Sequence, residues 1–243
     1  MQLLLIGLLF IWAGFVRSGL GFGGAALGLP LMLFINDQPL FWLPMIGTHL
    51  LFFSGITLSK RLHDVDWQYL TRSIVYVLPA ALIGVFGLLS LPNNWLVLFI
   101  YSVTLYYALT WLTSWEIRSN NNWMDRMLLL CGGYVAGVSL SGAPIMVAVF
   151  MRNVAQRQLR NTLFVLWFVL VSIKMTTFAV LNVDMHFFAA LALIPVAAIG
   201  HWLGLRMHDR ILQNDKVFRR VIGAVLMLIS LIGLSRILLP GAM

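Results

Sequence analysis

The chain has 243 residues, of which 61% are apolar and only 10% are charged, and its mean hydropathy is +0.93. Soluble domains average about 45–50% apolar and about 25% charged residues, so this composition excludes an ordinary soluble enzyme and a disulfide-bonded secreted domain. The formal net charge of +8 comes from 16 Lys and Arg against 8 Asp and Glu. Because the basic residues lie in short loops between apolar stretches, they indicate orientation in a membrane and not nucleic-acid binding.

Apolar stretches long enough to cross about 30 Å of hydrocarbon as a helix recur along the whole chain. Two further apolar segments, 2–35 and 127–151, are interrupted by small residues at 19–25 and 137–144. Glycine clusters and proline weaken a helix, so we expect the chain to unwind at both places. The six uninterrupted spans are predicted at 40–58, 73–90, 95–114, 162–181, 187–205 and 221–239.

The distribution of Lys and Arg predicts which loops lie in the cytoplasm. Thirteen of the 16 basic residues fall in four loops, whereas the connections at 36–39, 91–94 and 182–186 have none. The positive-inside rule then predicts a multi-pass protein of the cell (inner) membrane with the basic loops in the cytoplasm and both termini outside. Segment 127–151 must enter from the cytoplasm and return to it, as two half-helices meeting at a re-entrant loop. For 2–35, a re-entrant hairpin and a broken spanning helix both stay open.

An internal repeat relates the two halves of the chain at an offset of 118 residues. The basic loops of one half correspond to the uncharged loops of the other, so the halves are expected to point in opposite directions, as in many transporters. We therefore predict one all-α polytopic membrane domain, 1–243, built from two inverted repeats, 1–118 and 119–243. Each repeat would be a broken (re-entrant) helical hairpin followed by three transmembrane helices. The matched pairs are Gly14 with Gly132, Gly19 with Gly137, Gly24 with Gly142, Asp66 with Asp184 and, after a two-residue gap, Pro79 with Pro195.

The two interrupted segments are candidates for binding an anion. A half-helix that begins after an unwound glycine stretch offers backbone N–H groups and positive potential without a formal charge. Glycine lets these groups approach an oxyanion, and serine hydroxyls add donors. A competing explanation is that the glycines only permit close helix packing. The candidates for a midplane site between the two broken hairpins are Gly21, Gly23, Gly24, Ser139, Ser141 and Gly142.

Two basic side chains, Arg17 and Lys174, lie well inside apolar segments. A charge at the membrane centre costs at least about 2.5–3.5 kcal/mol, so each is a candidate substrate-binding residue. Arg17 precedes the first glycine cluster and could hold a carboxylate or sulfonate with two hydrogen bonds. The alternatives are that Arg17 snorkels towards an interface and that Lys174 donates to carbonyl groups of a broken hairpin.

The remaining titratable residues give weaker signals. His49 and His201 could carry protons, although a lone histidine on an apolar helix is more often a packing residue. All eight carboxylates lie in loops or at span ends, so no acidic proton relay or sodium site is predicted. Asp66 and Asp184 each precede a span at equivalent positions and are interpreted as helix N-caps. We predict no catalytic residue, no metal and no cofactor.

Four motifs in the sequence resemble the TauE/SafE family of sulfite and organosulfonate exporters, over nearly the whole chain. They are GLGFGGAALGLPL at 19–31, Gly47-Thr48-His49-Leu50, Val65-Asp66-Trp67, and Ser141-Gly142-Ala143-Pro144. The resemblance implies a secondary transporter for a small anion such as sulfite, an organosulfonate or a related carboxylate. Thr48 and His49, in the second motif, join the substrate-binding candidates.

Two other functions stay open. An anion channel would use the same site without alternating access. An intramembrane enzyme is less favoured, because the sequence has no HExxH motif, no paired carboxylates on one helix and no cysteine ligand set. The expected partners are a small anionic substrate and the lipid bilayer, with no nucleic acid, and a homodimer is left open.

Overall fold

The computed structural model describes residues 2–20, 24–59, 61–115, 117–213 and 215–238. Within these ranges the chain is helical and contains no β-strand. The helices, in chain order, are α1 (Gln2–Leu20), α2 (Gly24–Met32), α3 (Pro39–Leu58), a short 3-10 helix (Leu62–Asp64), α4 (Trp67–Ser90), α5 (Asn93–Leu112), α6 (Asn122–Ser139), α7 (Ala143–Asn153), α8 (Gln156–Val180), α9 (Phe187–Gln213) and α10 (Asp215–Leu238). The prediction of an all-α fold is confirmed.

All six uninterrupted spans predicted from the sequence are present as helices long and apolar enough to cross a membrane, namely α3, α4, α5, α8, α9 and α10. α1 is a seventh such helix among the described residues. Helices α4 and α8 begin about six residues before the predicted spans, because polar residues such as Gln68 and Gln156 continue a helix beyond its apolar part. Large apolar side chains face outwards, with Phe188 91% and Leu3 85% exposed, as expected for contact with lipid.

Both interrupted segments fold as pairs of helices that run side by side in opposite directions. In the first pair, hairpin 1 (α1 and α2), Gly24 lies against Arg17 and Gly28 against Ala13. In the second, hairpin 2 (α6 and α7), Gly132 lies against Met146. As the contacting residue on α2 moves forward along the chain, from Gly24 to Gly28, its partner on α1 moves backward, from Arg17 to Ala13. The two limbs are therefore antiparallel, and segment 2–35 turns back on itself. The prediction that both segments unwind between two helical limbs is confirmed for 127–151, whereas residues 21–23 lie outside the described part.

The chain divides into two compact units, of which the first comprises Met1–Trp42, Leu91–Glu116 and Leu193–Met243. This unit contains hairpin 1, α5, most of α9, and α10. α9 packs on α1 through glycines: a Cβ at Gly200 would overlap the carbonyl oxygen of Ile11, and a Cβ at Gly14 would overlap that of Ala197. A small apolar core joins α1, α2, α5 and α10 through Val16, Leu27, Ala108, Trp111, Ile222 and Leu226.

The second unit comprises Leu43–Ser90 and Ile117–Ala192, and contains hairpin 2, most of α3, α4, α8 and the first residues of α9. α4 packs on α6 through glycines in the same manner: a Cβ at Gly84 would overlap the Tyr134 carbonyl oxygen, and a Cβ at Gly137 that of Ala81. Because every one of these contacts is to backbone, no side chain can be added there without separating the helices. The core of this unit includes Val77, Leu129, Met146, Phe150 and Leu166.

Candidate functional site

Hairpin 2 turns at a three-residue break between two helix ends. α6 ends at Ser139, and Leu140 follows in the left-handed conformation with φ 58°, donating its N–H to the Ala136 carbonyl at 2.9 Å. A residue with a side chain rarely adopts this conformation, so the break is locally strained. α7 begins at Ala143 with Pro144 in its first turn, and no side chain caps it. The first turn of α7 therefore directs its backbone N–H groups towards the break, as the sequence predicts.

The hydroxyl groups of Ser139 and Ser141 are both buried at this break and hydrogen-bond to each other. Ser139 also donates to the Val135 carbonyl at 3.0 Å. Since a hydroxyl has one proton, Ser141 is then the donor in the bond between the two serines. Either serine must give up a present hydrogen bond before it can donate to an anion.

Gly142 has a packing role that the sequence pattern does not distinguish from anion binding. A Cβ at this position would overlap the Gly132 carbonyl oxygen and come within 2.8 Å of the Ala136 nitrogen. Gly132 is equally constrained, because its own Cβ would lie 2.5 Å from Met146 Cγ. Close packing of the two limbs thus explains these two glycines without a ligand, and their contact with substrate stays a prediction.

Arg17 lies near the end of α1, one turn before the break of hairpin 1, and is only 7% exposed. The alternative that it snorkels to a surface is therefore wrong: the side chain is enclosed by protein. Gly24, the first residue of α2, lies so close that a Cβ there would come within 2.9 Å of Arg17 Cβ. The other two candidates at this break, Gly21 and Gly23, lie outside the described residues.

Lys174 is the most deeply buried charged residue among those described, at 1% exposure. Its Nζ has no hydrogen-bond partner in the described part of the chain, and the Phe178 ring centroid lies 6.0 Å away. Among the described residues, this side chain therefore does not donate to a carbonyl of a broken hairpin. A buried cation without a hydrogen-bonding partner is unfavourable by itself and favours a site that receives an anion.

Thr48 and His49 lie on α3, which packs antiparallel to α8: Gly47 meets Met175, and Gly55 lies 3.8 Å from Phe168. This register places His49 at about the same level as Lys174. His49 is 2% exposed, and its Nε2 donates to the Ala190 carbonyl at 2.6 Å. The Thr48 hydroxyl donates to the Pro44 carbonyl at 3.0 Å. Both polar groups thus already have protein partners.

The structure gathers most of the candidates into the second unit, which holds Thr48, His49, Ser139, Ser141, Gly142 and Lys174, while Arg17 and Gly24 belong to the first. His201, a weaker candidate, also belongs to the first unit and hydrogen-bonds through Nδ1 to Ser18. No group of three or more His, Cys, Asp or Glu residues that could hold a metal ion occurs in the described ranges.

Asp125 is a structural residue that sequence analysis missed, because it was grouped with the carboxylates of loops and span ends. It is 7% exposed, and its Oδ2 accepts from Arg152 Nη1 at 2.8 Å and from Asn153 Nδ2 at 3.1 Å. These bonds tie the start of α6 to the end of α7, so hairpin 2 enters and leaves at the same end. Opposite charges at both ends of a predicted hairpin are the signal that could have revealed the pair.

The two repeated aspartates differ. Asp66 Oδ1 accepts from the Tyr69 N–H at 2.9 Å, as an N-cap of α4 does. Asp184 Oδ1 instead accepts from the His186 N–H at 2.9 Å, and α9 begins only at Phe187. The N-cap interpretation is thus confirmed for Asp66 and wrong for Asp184, which forms a turn ahead of the helix.

These features define a class: a multi-pass α-helical membrane protein with two antiparallel helix pairs broken at small residues and with basic residues buried inside it. The family model described as Sulfite exporter TauE/SafE matches residues 5–232. The chain therefore belongs to the TauE/SafE family of sulfite exporters, which makes it a membrane transport protein. Comparisons with curated proteins and with solved structures give no significant match.

Proposed function

We propose that the protein is a secondary transporter that moves a small anion, namely sulfite, an organosulfonate or a related carboxylate, across the cell inner membrane. Lys174 is the observation that carries this proposal. A lysine at 1% exposure without a hydrogen-bond partner among the described residues is expected where a ligand of opposite charge binds. Family membership supports the same substrate class.

The break of hairpin 2 provides further groups that could bind an anion. The first turn of α7 offers backbone N–H groups and the positive end of a helix dipole, both of which favour an anion. Ser141 can add a hydroxyl donor by releasing Ser139. The glycines of hairpin 1, which the sequence repeat matches to this break, and Arg17 beside them are proposed to contribute in the same way, near the membrane midplane.

Alternating access is proposed from the repeat. Each hairpin packs through glycines onto a proline-containing helix that comes from the other sequence repeat: α1 on α9 and α6 on α4. This reciprocal packing, in which each repeat supplies the helix that holds the hairpin of the other, supports two related repeats, 1–118 and 119–243, of opposite orientation. The basic loops are proposed to lie in the cytoplasm and both termini outside. Two arrangements of such repeats can expose one site to each side in turn.

Anion flux into proteoliposomes tests the function. Purified protein is first screened for thermal stabilisation by sulfite, sulfoacetate, taurine, isethionate and simple carboxylates. The stabilising anion is then used in a flux assay on wild type, on Lys174→Met and on Arg72→Gln, a control that changes an exposed basic residue of α4.

We expect saturable flux for wild type and the control, and at least a tenfold loss for Lys174→Met. If no anion stabilises the protein or crosses the membrane, the proposal fails. Flux far above the turnover of a carrier, without saturation, would instead identify the alternative of an anion channel.

A further inference from the structure

Lys174 raises a question that anion binding alone does not answer: what charge its side chain carries while the site is empty. Its Nζ has no hydrogen-bond partner among the described residues. The Phe178 ring, at 6.0 Å from Nζ, is at the outer limit of a cation–π contact. The described part of the chain therefore provides no acceptor that would stabilise an ammonium group at this position.

The described residues of the helices packed around α8 supply no counter-ion. The carboxylates of this unit are engaged elsewhere: Asp66 caps α4, Asp125 binds Arg152 and Asn153, Asp64 lies 3.6 Å from Arg157, and Asp184 lies 3.3 Å from His186. Asp66 lies beside Thr162 of α8, because the Thr162 Oγ1 accepts a hydrogen bond from the Asp66 N–H at 2.9 Å. Since Thr162 is twelve residues from Lys174, the acidic residues near the start of α8 lie about 18 Å from Lys174 along the helix.

The other titratable groups on the surrounding helices are cationic or weakly acidic. On α3 the only one is His49, at the level of Lys174, and its Nε2–H is held by the Ala190 carbonyl. The remaining groups on the packed elements are His63 on the 3-10 helix, Tyr69, Arg72 and Tyr76 on α4, Arg126, Cys131 and Tyr134 on α6, Arg152 on α7, and Arg157 and Arg160 on α8 itself. Of these, Arg126 lies over the Tyr76 ring and Arg160 over the Phe164 ring. None of them offers Lys174 a negative charge.

A lysine in such surroundings differs chemically from an arginine. The amine of lysine releases its proton readily when burial disfavours the charged form, whereas the guanidinium of arginine stays protonated. An anion placed next to the amine reverses this preference, because it provides the missing opposite charge. Anion binding and proton binding at this position must then strengthen each other.

We propose that Lys174 is a neutral amine when the site is empty and takes up one proton when the anion binds, so that the protein moves an anion together with a proton. The Nζ lone pair accepts a proton from the aqueous side to form the ammonium, and on release the proton leaves as the anion does. A monovalent anion is then carried without net charge. This inference rests on the proposed function, since it concerns the same site.

Calorimetry of anion binding to the purified full-length protein tests the proposal. The probe is isethionate or sulfoacetate, whichever stabilises the protein more, because neither changes its charge between pH 7 and 9. Titrations in two buffers with different ionisation enthalpies give the number of protons taken up per bound anion.

For wild type and the Arg72→Gln control we expect about one proton per anion, and a Kd that rises about tenfold for each pH unit over the alkaline part of the range. Lys174→Arg keeps a permanent charge, so it should bind the anion with no proton uptake and with a Kd independent of pH. Lys174→Met should bind at least tenfold more weakly at pH 7, also without uptake. If the Met variant does not fold, the Arg variant alone decides the question.

Failure of this inference differs from failure of the proposed function. Wild type that binds the anion without proton uptake overturns the inference and leaves anion transport intact. The same holds if proton uptake persists in Lys174→Arg but disappears in His49→Gln, because the proton then belongs to His49. Absence of any anion binding to wild type overturns both.

Discussion

The two hairpins share their architecture but differ in their chemistry. Each consists of two antiparallel limbs joined at a break rich in small residues, and each packs through glycines onto a helix that contains a proline. Hairpin 1 carries its buried cation, Arg17, on its own long limb. At the position equivalent to Arg17, hairpin 2 has Val135, and the buried basic residue of its unit, Lys174, lies on α8 instead.

Their ends differ as well. The open end of hairpin 2 is held by the Asp125–Arg152 ion pair, and its two serines bond to each other at the break. In hairpin 1 the limbs are linked by Trp12, whose indole N–H donates to the Leu27 carbonyl at 3.2 Å. The two hairpins therefore share their helix packing, which depends on backbone approach, and differ in their polar groups.

The largest expected effect concerns the shared feature. We expect both Gly84→Leu and Gly200→Leu to destabilise the protein by at least about 3 kcal/mol, because the new side chain would have to displace backbone in each case. At Gly84 a Cβ would lie 2.9 Å from Gly137 Cα, and at Gly200 it would lie 2.7 Å from the Ile11 carbonyl carbon. The measurement is the yield of monodisperse protein in detergent and its unfolding temperature.

Gly87→Ala is the matched control for this pair. Its added methyl group would lie 3.7 Å from Tyr134 Oη, an ordinary contact. Alanine is also the better helix former, so stability should stay equal or rise. Tolerance of leucine at Gly200 but not at Gly84 would show that the two hairpins do not share this packing after all.

Much of this architecture follows from the sequence, because its signals are local. Spans of about twenty apolar residues must be helical in a membrane, where backbone groups cannot be left without hydrogen bonds. The breaks are equally local, since segments 19–25 and 137–144 contain residues that weaken a helix. The repeat then identifies equivalent positions without any knowledge of contacts.

The candidate site is harder to predict, because a glycine that binds an anion and a glycine that lets two helices touch give the same pattern. Gly142 and Gly132 are explained by packing once their neighbours are known. Arg17 and Lys174 stand out in the sequence since a charge in an apolar span is unusual, but their burial depends on tertiary contacts. Asp125 lies at an ordinary span end by its sequence, and only the return of α7 brings Arg152 to it.

The ion pair at the open end of hairpin 2 gives an intermediate effect. Asp125→Asn keeps the shape of the side chain and removes its charge, so we expect a loss of about 2 kcal/mol, typical of hydrogen bonds to a charged group. Arg152 is 33% exposed and can turn to water, which limits the loss. Reversible unfolding in mixed micelles measures this free energy.

Asp64→Asn is the control for this change. Arg157 lies 3.6 Å from Asp64 and is 85% exposed, so removing that pair should cost less than about 1 kcal/mol. Equal losses in the two variants would mean that Asp125 acts only as a surface charge. Hairpin 1, which has no described ion pair between its limbs, should keep its packing in both.

The smallest effects separate the two aspartates that the repeat places at equivalent positions. Asp66→Ala removes the N-cap bond to the Tyr69 N–H and should cost about 1 kcal/mol. Asp184→Ala removes a bond to the His186 N–H from a carboxylate that is 77% exposed, so the loss should stay within about 0.5 kcal/mol. The measurement is the unfolding free energy of the two variants, determined side by side. Equal losses would mean that Asp184 stabilises the start of α9 despite lying outside it. The aspartate of the second repeat would then have the same role as Asp66 through a different geometry.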